Sequence, residues 1–183
     1  MKFKLIFYFL IFFFWSIKSY ASLKENIIDN LDSTDTLFFN FTQKIDNKIN
    51  EGTCQVSYPA KIFCEYKDKY NKIIISDGKY LVVKNKSIDQ VYKYELKKTP
   101  FKIILDKEFL IEKIKFSKIK ILDKNVSSIL LEENNLDFEI FFNSINFNII
   151  GWNTIDVYQN VVNFKIFNLK KNITISNKIF RIN

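Results

Sequence analysis

Residues Gly52–Val83 read GTCQVSYPAKIFCEYKDKYNKIIISDGKYLVV, and this run predicts two consecutive β-hairpins in the middle of one antiparallel sheet. In the first hairpin, a turn centred on Pro59 brings Cys54 opposite Cys64. Side chains alternate between the two faces of a strand. One face is therefore apolar and carries Cys54, Val56, Tyr58, Ile62, Cys64 and Tyr66. The opposite face is mostly polar, so we expect this hairpin to contact the core on one side.

The second hairpin carries the strongest local structural signal in the chain. Its apolar runs, Ile73–Ile75 and Leu81–Val83, flank the dipeptide Asp77-Gly78. This pair tolerates the positive φ values of a type I′ turn. We therefore predict that the second hairpin turns on Asp77-Gly78.

The two cysteines allow two interpretations. In an oxidising compartment, Cys54 and Cys64 would form a disulfide across the first hairpin, whereas in the cytosol they would be buried thiols. A catalytic redox pair usually has the tighter Cys-X-X-Cys spacing near a helix. If the chain is exported, we expect a structural disulfide.

The N-terminus has the pattern of a secretory signal peptide. Lys2 and Lys4 precede an apolar run, Leu5–Ile17, and small residues lead up to Ala21. A retained membrane anchor is the alternative, but the apolar run is shorter than the ~20 residues that a spanning helix needs. We therefore predict a signal peptide over residues 1–21, cleavage after Ala21, and one mature domain over residues 22–183.

Charge and composition argue against two function classes. Loss of Lys2, Lys4 and Lys18 with the signal peptide lowers the formal net charge from +8 to +5, and the remaining lysines are scattered among acidic residues. Nucleic-acid binding needs clustered positive charge with stacking aromatics, so no nucleic-acid partner is expected. The chain contains no His, which removes the usual nucleophile–base pairs and the commonest metal ligand. We expect no enzyme activity, no metal and no cofactor.

The flanking segments predict the fold class. Leu23, Ile27 and Leu31 recur at helical spacing after a capping box at Ser22, and Thr99 caps a second short helix that begins at Pro100 and runs towards Leu110. The other apolar runs are separated by turn residues, and they predict strands over residues 37–43, 90–96, 119–122, 126–131, 137–142, 148–157 and 161–169. We expect an α+β fold: one strongly curved, incomplete, half-barrel-like antiparallel β-sheet whose concave face is covered by short helices.

Five motifs along the mature chain resemble those of one known family. Asn40–Gln43 resembles the family's Phe-Thr-Gln sequence, Ile75–Leu81 its Ser-Asp-Gly-Lys hairpin, and Lys98–Phe101 its Thr-Pro-Phe helix start. Gly151–Asp156 resembles a later strand of the family, and Ile179–Ile182 resembles its closing segment. In order and spacing, these motifs resemble the periplasmic outer-membrane lipoprotein carrier proteins of the LolA type. The resemblance covers nearly the whole mature chain.

The resemblance implies a monomeric periplasmic chaperone that carries lipoproteins for outer-membrane biogenesis. The implied partners are acylated lipoproteins as cargo, an ATP-driven releasing transporter in the inner membrane and an acceptor in the outer membrane. Because exposed acyl chains are costly in water, such a carrier needs an apolar cavity. We expect the cavity to be lined by Leu23, Ile27, Leu31, Phe39, Phe41, Val56, Tyr58, Ile62, Tyr66, Leu81, Phe101, Ile104 and Leu105. The alternative for any one of them is a place in a closed core.

Two positions depart from the family. Tyr58 stands where the family has the Arg that pins its helical lid closed, and a phenol can donate a hydrogen bond but carries no charge. We therefore assign Tyr58 as the gating position and expect altered release. Cys54 and Cys64 replace apolar or aromatic residues. A second interpretation is a lipid- or lipoprotein-sensing module, or a carrier of another lipid, on the same fold. A sensor is expected to carry an additional partner-binding domain.

Overall fold

The computed structural model describes residues 18–133, 136–156 and 159–182. The apolar run Leu5–Ile17 of the predicted signal peptide lies outside these residues, as does Val157 at the end of one predicted strand. Within the described ranges, no helix is long and apolar enough to cross a membrane.

The described ranges contain three α-helices and eleven β-strands. The helices are α1 Lys18–Asp32, α2 Phe101–Leu105 and α3 Lys107–Phe116. The strands are β1 Thr36–Ile45, β2 Lys48–Ser57, β3 Lys61–Tyr66, β4 Lys72–Asp77, β5 Tyr80–Asn85, β6 Gln90–Glu95, β7 Ile119–Ile121, β8 Val126–Glu133, β9 Leu136–Asn143, β10 Ile149–Ile155 and β11 Val161–Lys171. Short 3₁₀ turns occupy Lys86–Ile88, Leu96–Lys98 and Asn177–Phe180.

All eleven of these strands belong to one antiparallel sheet, in the order β6-β5-β4-β3-β2-β1-β11-β10-β9-β8-β7. Strands that follow each other in the chain are neighbours, except for β6 and β7, which lie at opposite edges of the sheet. The pairing of β1 with β11 joins the two meanders. Since β6 and β7 are the outer strands of this order, the sheet is not closed. The prediction of a single antiparallel sheet with few short helices is confirmed.

The first predicted hairpin has the expected register. Cys54 lies opposite Cys64 and Val56 lies opposite Ile62, and the two cysteines form a disulfide. The apolar face is buried as predicted, because Cys54, Val56, Ile62 and Cys64 are each at most 2 % exposed. Alternation and the Pro59 turn therefore predicted this hairpin correctly.

The turn of the second hairpin lies one residue later than predicted. β4 ends at Asp77 and β5 begins at Tyr80, so the central pair is Gly78-Lys79. Gly78 has φ of +104°, and the Asp77 carboxylate accepts hydrogen bonds from the backbone N–H groups of Lys79 and Tyr80. Asp77 acts as a side-chain cap of the turn, which keeps it in the strand.

The predicted helix starts were also partly wrong. In the uncleaved chain, α1 includes residues back to Lys18, so Ser22 lies inside the helix. Thr99 donates its hydroxyl to the carbonyl of Leu96 rather than capping a helix. The second helix is interrupted at Asp106, whose carboxylate accepts from the N–H of Phe109 and so caps α3.

The helices and one face of the sheet share a single hydrophobic core. Ile27 of α1, Leu105 of α2 and Ile114 of α3 are fully buried against sheet residues such as Phe41. Lys24 joins α1 to the end of α3, because its ammonium donates to the carbonyls of Lys115 and Ser117. The three helices are therefore fixed to one another and to the same side of the sheet.

A second apolar cluster lies on the opposite face of β4 and β5. Ile73, Ile75 and Val82 are at most 6 % exposed but lie outside the main core. The turn Asn177–Phe180 contacts β3 and β4, and Phe180 is 2 % exposed. The C-terminal segment therefore packs against this face, which explains why β4 is apolar at successive positions.

Candidate functional site

Four aromatic side chains form a continuous layer on the core side of the sheet. The ring of Phe164 stacks on Trp152 with centroids 4.0 Å apart and on Phe41 with centroids 4.8 Å apart. Phe138 stacks on the other side of Trp152 at 6.1 Å. The register places Trp152 directly opposite Phe164, so neighbouring strands bring these rings together. We refer to Phe41, Phe138, Trp152 and Phe164 as the aromatic floor.

Gly52 makes room for this layer. It lies between Phe41 and Tyr66 in the sheet, and a Cβ at Gly52 would come within 2.7 Å of the Phe41 ring and 2.1 Å of the carbonyl oxygen of Glu65. The absent side chain allows Phe41 to approach Tyr66, with centroids 4.8 Å apart in an edge-to-face arrangement. A glycine is therefore required here for close packing.

A cavity of about 150 Å³ lies between the aromatic floor and α2. Its lining is mostly apolar and consists of Gln43, Pro100, Phe101, Ile104, Phe138, Trp152, Thr154, Ile155, Asp156, Val162 and Phe164. This cavity is partly open to solvent, and its volume is similar to that of an enclosed apolar cavity that binds benzene in another protein. The arrangement can therefore accept an apolar group, and the polar side-chain atoms of the lining belong to Gln43, Trp152, Thr154 and Asp156.

The predicted cavity residues divide into two groups. Phe101 and Ile104 line this cavity. The others belong to the surrounding core or pack against it, and they are Leu23, Ile27, Leu31, Phe39, Phe41, Val56, Tyr58, Ile62, Tyr66, Leu81 and Leu105. Sequence reasoning missed Phe138, Trp152, Val162 and Phe164, although alternation along β9, β10 and β11 places them on one face.

Tyr58 lies where the Pro59 turn meets the helices. Its N–H donates to the carbonyl of Asp35 at 2.9 Å, and the N–H of Ala60 donates to the carbonyl of Leu105 in α2 at 2.9 Å. Among the described residues, the Tyr58 hydroxyl is buried without a hydrogen-bond partner, and this burial raises the pKa of the phenol. The turn therefore connects the sheet to α2 through the backbone.

A cation near Tyr58 comes from α3. The ammonium of Lys107 donates to the carbonyls of Asp32 at 2.8 Å and Thr34 at 3.1 Å. It also lies 3.8 Å from the carboxylate of Asp35 and 5.8 Å from the centre of the Tyr58 ring. Lys107 thus joins the start of α3 to the end of α1. Sequence reasoning missed this residue because its partners are backbone carbonyls distant in the chain.

The cavity contains no metal-binding group of side chains. In the parts of the chain that the structure describes, no cluster of three or more His, Cys, Asp or Glu residues could hold a metal ion. Asp156 is the single charged side chain among the lining residues named above. The chemistry that this set supports is therefore the binding of an apolar group, with hydrogen bonding at one end.

Several solved structures are similar to this chain at low sequence identity. An uncharacterized conserved protein from Thermus thermophilus matches with a TM-score of 0.55 and 6 % identity, over 89 % of this chain and 93 % of that one. A LolA superfamily protein from Nitrosomonas europaea matches with a TM-score of 0.48 and 10 % identity, over 89 % and 97 %. MucB in the MucA/MucB complex of Pseudomonas aeruginosa matches with a TM-score of 0.49 and 6 % identity, over 89 % and 60 %.

The sequence comparison identifies the family. No curated protein matches the sequence. The profile of the family described as "Outer membrane lipoprotein carrier protein LolA" matches residues 32–183, which include every strand of the sheet and the whole lining of the cavity. The chain therefore belongs to the LolA family of outer membrane lipoprotein carrier proteins.

Proposed function

We propose that this chain is a periplasmic carrier that holds lipoprotein acyl chains between its helices and the concave face of its sheet. It moves lipoproteins from the inner to the outer membrane. The observation that carries this proposal is the apolar cavity between the aromatic floor and α2. Family membership supports the same function.

The energetics of an acyl chain explain the need for a cavity. Each exposed CH₂ costs about 0.8 kcal/mol, so a palmitoyl chain in water costs on the order of 10 kcal/mol. A cavity of about 150 Å³ accepts a ligand of roughly benzene size and is too small for a whole acyl chain. Cargo must therefore widen the cavity, and α2 is the element that borders it opposite the floor.

Opening of α2 and α3 breaks a few hydrogen bonds and exposes apolar side chains that are now fully buried, such as Leu105 and Ile114. The N–H of Ala60 holds the end of α2 through the carbonyl of Leu105, and Lys107 holds the start of α3 against the carbonyls of Asp32 and Thr34. A hydrogen bond of this kind contributes about 1 kcal/mol net. An acyl chain can cover the apolar side chains that opening exposes and add its own buried CH₂ groups, so cargo itself can offset the cost of opening.

In this proposal, the carrier performs no chemistry of its own. Its three glycines are too far apart in the sequence for a phosphate-binding loop, so the energy for loading comes from an ATP-driven transporter in the inner membrane. An acceptor in the outer membrane takes the lipoprotein. The carrier acts as a monomer, and cleavage of its signal peptide releases it into the periplasm.

Binding of an acyl probe and uptake of a lipoprotein test this function together. The exported protein, freed of lipid, is expected to bind a fluorescent fatty-acyl probe and to take up a diacylated or triacylated lipoprotein from inner-membrane vesicles. Absence of both activities in a working transfer assay would contradict the proposal. Mass spectrometry of co-purifying lipids would show whether another lipid is carried instead.

A pair of matched variants assigns the binding to this cavity. Phe101→Glu places a carboxylate on the cavity wall, and it is expected to abolish binding of the acyl probe because burial of a charge is costly. Phe116→Glu makes the same substitution on α3, where the side chain is 85 % exposed, and should bind normally. Equal binding by both variants would place the acyl site elsewhere.

A further inference from the structure

We infer that the polar end of the cavity, formed by Thr154 and Asp156 with Gln43 in the adjacent row, selects an uncharged acyl ester or amide over a free fatty acid. The inference rests on the proposed function, in which the cavity takes acyl chains, and it adds the class of head group that the site accepts. Together with the indole N–H of Trp152, these three residues carry the polar side-chain atoms of a mostly apolar lining.

Thr154 provides the first observation. It lies on β10 opposite Val162 and is 8 % exposed. Within the described part of the chain, its hydroxyl oxygen is buried and has no hydrogen-bond partner, yet the residue lines the cavity. A buried hydroxyl without a partner is costly. A ligand oxygen that accepts a hydrogen bond from Thr154 would remove that cost.

The position of Thr154 suits the carbonyl of an acyl chain. Trp152 and Phe164 form one cross-strand row of the cavity, and Thr154 and Val162 form the next row. Polarity thus increases along β10, from the aromatic floor to the hydroxyl. In an acyl ester or amide, the carbonyl is bonded directly to the hydrocarbon chain. A chain that lies on the floor therefore brings its carbonyl oxygen to Thr154.

Gln43 supplies a second polar group in the adjacent row, beside the aromatic floor. It lies on β1 opposite Phe164, and its side-chain amide can both donate and accept hydrogen bonds. The ester and amide linkages of an acylated head group contain the same two kinds of polar atom. Gln43 can therefore accept either linkage without a change of charge.

Asp156 sets the charge preference. Its carboxylate accepts hydrogen bonds from the N–H and the side-chain amide of Asn160, at 2.9 and 3.0 Å, and these bonds hold it in place. The lining set contains no Lys or Arg. A fatty-acid carboxylate bound here would face a like charge in a partly desolvated site, which is unfavourable. An ester or amide carries no such penalty.

Competition between two ligands of equal chain length tests the selectivity. Decanoate and its methyl ester are each titrated at pH 7 against the naphthylamine probe N-phenyl-1-naphthylamine bound to the full exported protein. The ester is expected to displace the probe at the lower concentration, by about three- to tenfold for one hydrogen bond. Equal potency of the two ligands would overturn the inference and leave the proposed function intact. Failure of both ligands would defeat the proposed function.

Three variants locate the effect. Thr154→Val is expected to weaken ester binding by about three- to tenfold and to strengthen binding of decane, whereas Thr154→Ser keeps the hydroxyl and the ester preference. Ser127→Ala is the matched control, because Ser127 is also a buried hydroxyl without a partner among the described residues but does not line the cavity. Unchanged ester affinity in Thr154→Val would overturn the inference.

A second substitution tests the charge preference separately. Asp156→Asn is expected to strengthen the binding of decanoate and to leave that of its methyl ester unchanged. Equal effects on the two ligands would show that Asp156 does not set the preference for an uncharged ligand and would overturn that part of the inference. A thermal melt of each variant reports folding, and decane binding reports an intact apolar cavity, so a loss of ester affinity in a folded variant is assigned to the polar end.

Discussion

Replacement of Lys107 by methionine should loosen the closed arrangement of the helices. The Lys107 ammonium donates to the carbonyls of Asp32 and Thr34 at 2.8 and 3.1 Å. The substitution removes two hydrogen bonds of about 1 kcal/mol each. The closed state is thereby destabilised by about 2 kcal/mol, which raises the population of the open state about 30-fold. The contact with Asp35 adds little, because that carboxylate is 85 % exposed.

Stopped-flow binding of an acyl probe measures this change. If binding requires prior opening, the apparent association rate constant rises by the same factor as the open population, so Lys107→Met should bind about 30-fold faster. Lys115→Met is the matched control, because it changes an exposed lysine on the same helix. Identical association rates for Lys107→Met and the wild type would refute the assignment of Lys107 as the residue that holds the helices closed.

Three further predictions concern stability. Gly52→Ala should lower the free energy of unfolding by about 2–3 kcal/mol in urea denaturation, because its methyl group meets the Phe41 ring; an unchanged midpoint would contradict the close packing. Reduction of the Cys54–Cys64 disulfide should lower the free energy of unfolding by about 2–3 kcal/mol, as measured by urea denaturation with and without reductant. Burial raises the pKa of the Tyr58 phenol in the folded state. The stability that the neutral phenol contributes is therefore complete below about pH 10 and declines as pH rises towards the folded-state pKa. Tyr58→Phe should flatten that decline.

Local patterns predicted the part of the fold that depends on neighbouring residues in the chain. The register of Cys54 with Cys64 follows from alternation and one turn, and it was predicted correctly. The position of the β4–β5 turn was missed by one residue, because Asp77 caps the turn with its side chain and remains in the strand. A pattern of residue types does not distinguish an aspartate within the turn from an aspartate that caps the turn from the last position of the strand.

The candidate site depends on contacts between distant segments, and these were predicted less well. Phe164 and Phe41 meet only because β11 pairs with β1, and a periodic pattern along either strand does not specify its neighbour. Ile73 and Ile75 are buried on the face opposite the core by a C-terminal turn that ends with Phe180. The run of successive apolar residues in β4 signals burial on both faces, but it does not identify what covers the second face.

The pairing of β1 with β11 has a consequence for the order in which the molecule can fold. β1 spans Thr36–Ile45, whereas β11 spans Val161–Lys171, so one edge of the first strand stays open until almost the whole polypeptide has been synthesised. Contacts across such a long sequence separation slow folding. If the chain is exported as proposed, this delay is useful, because the chain then remains unfolded during translocation and completes its sheet only on the far side.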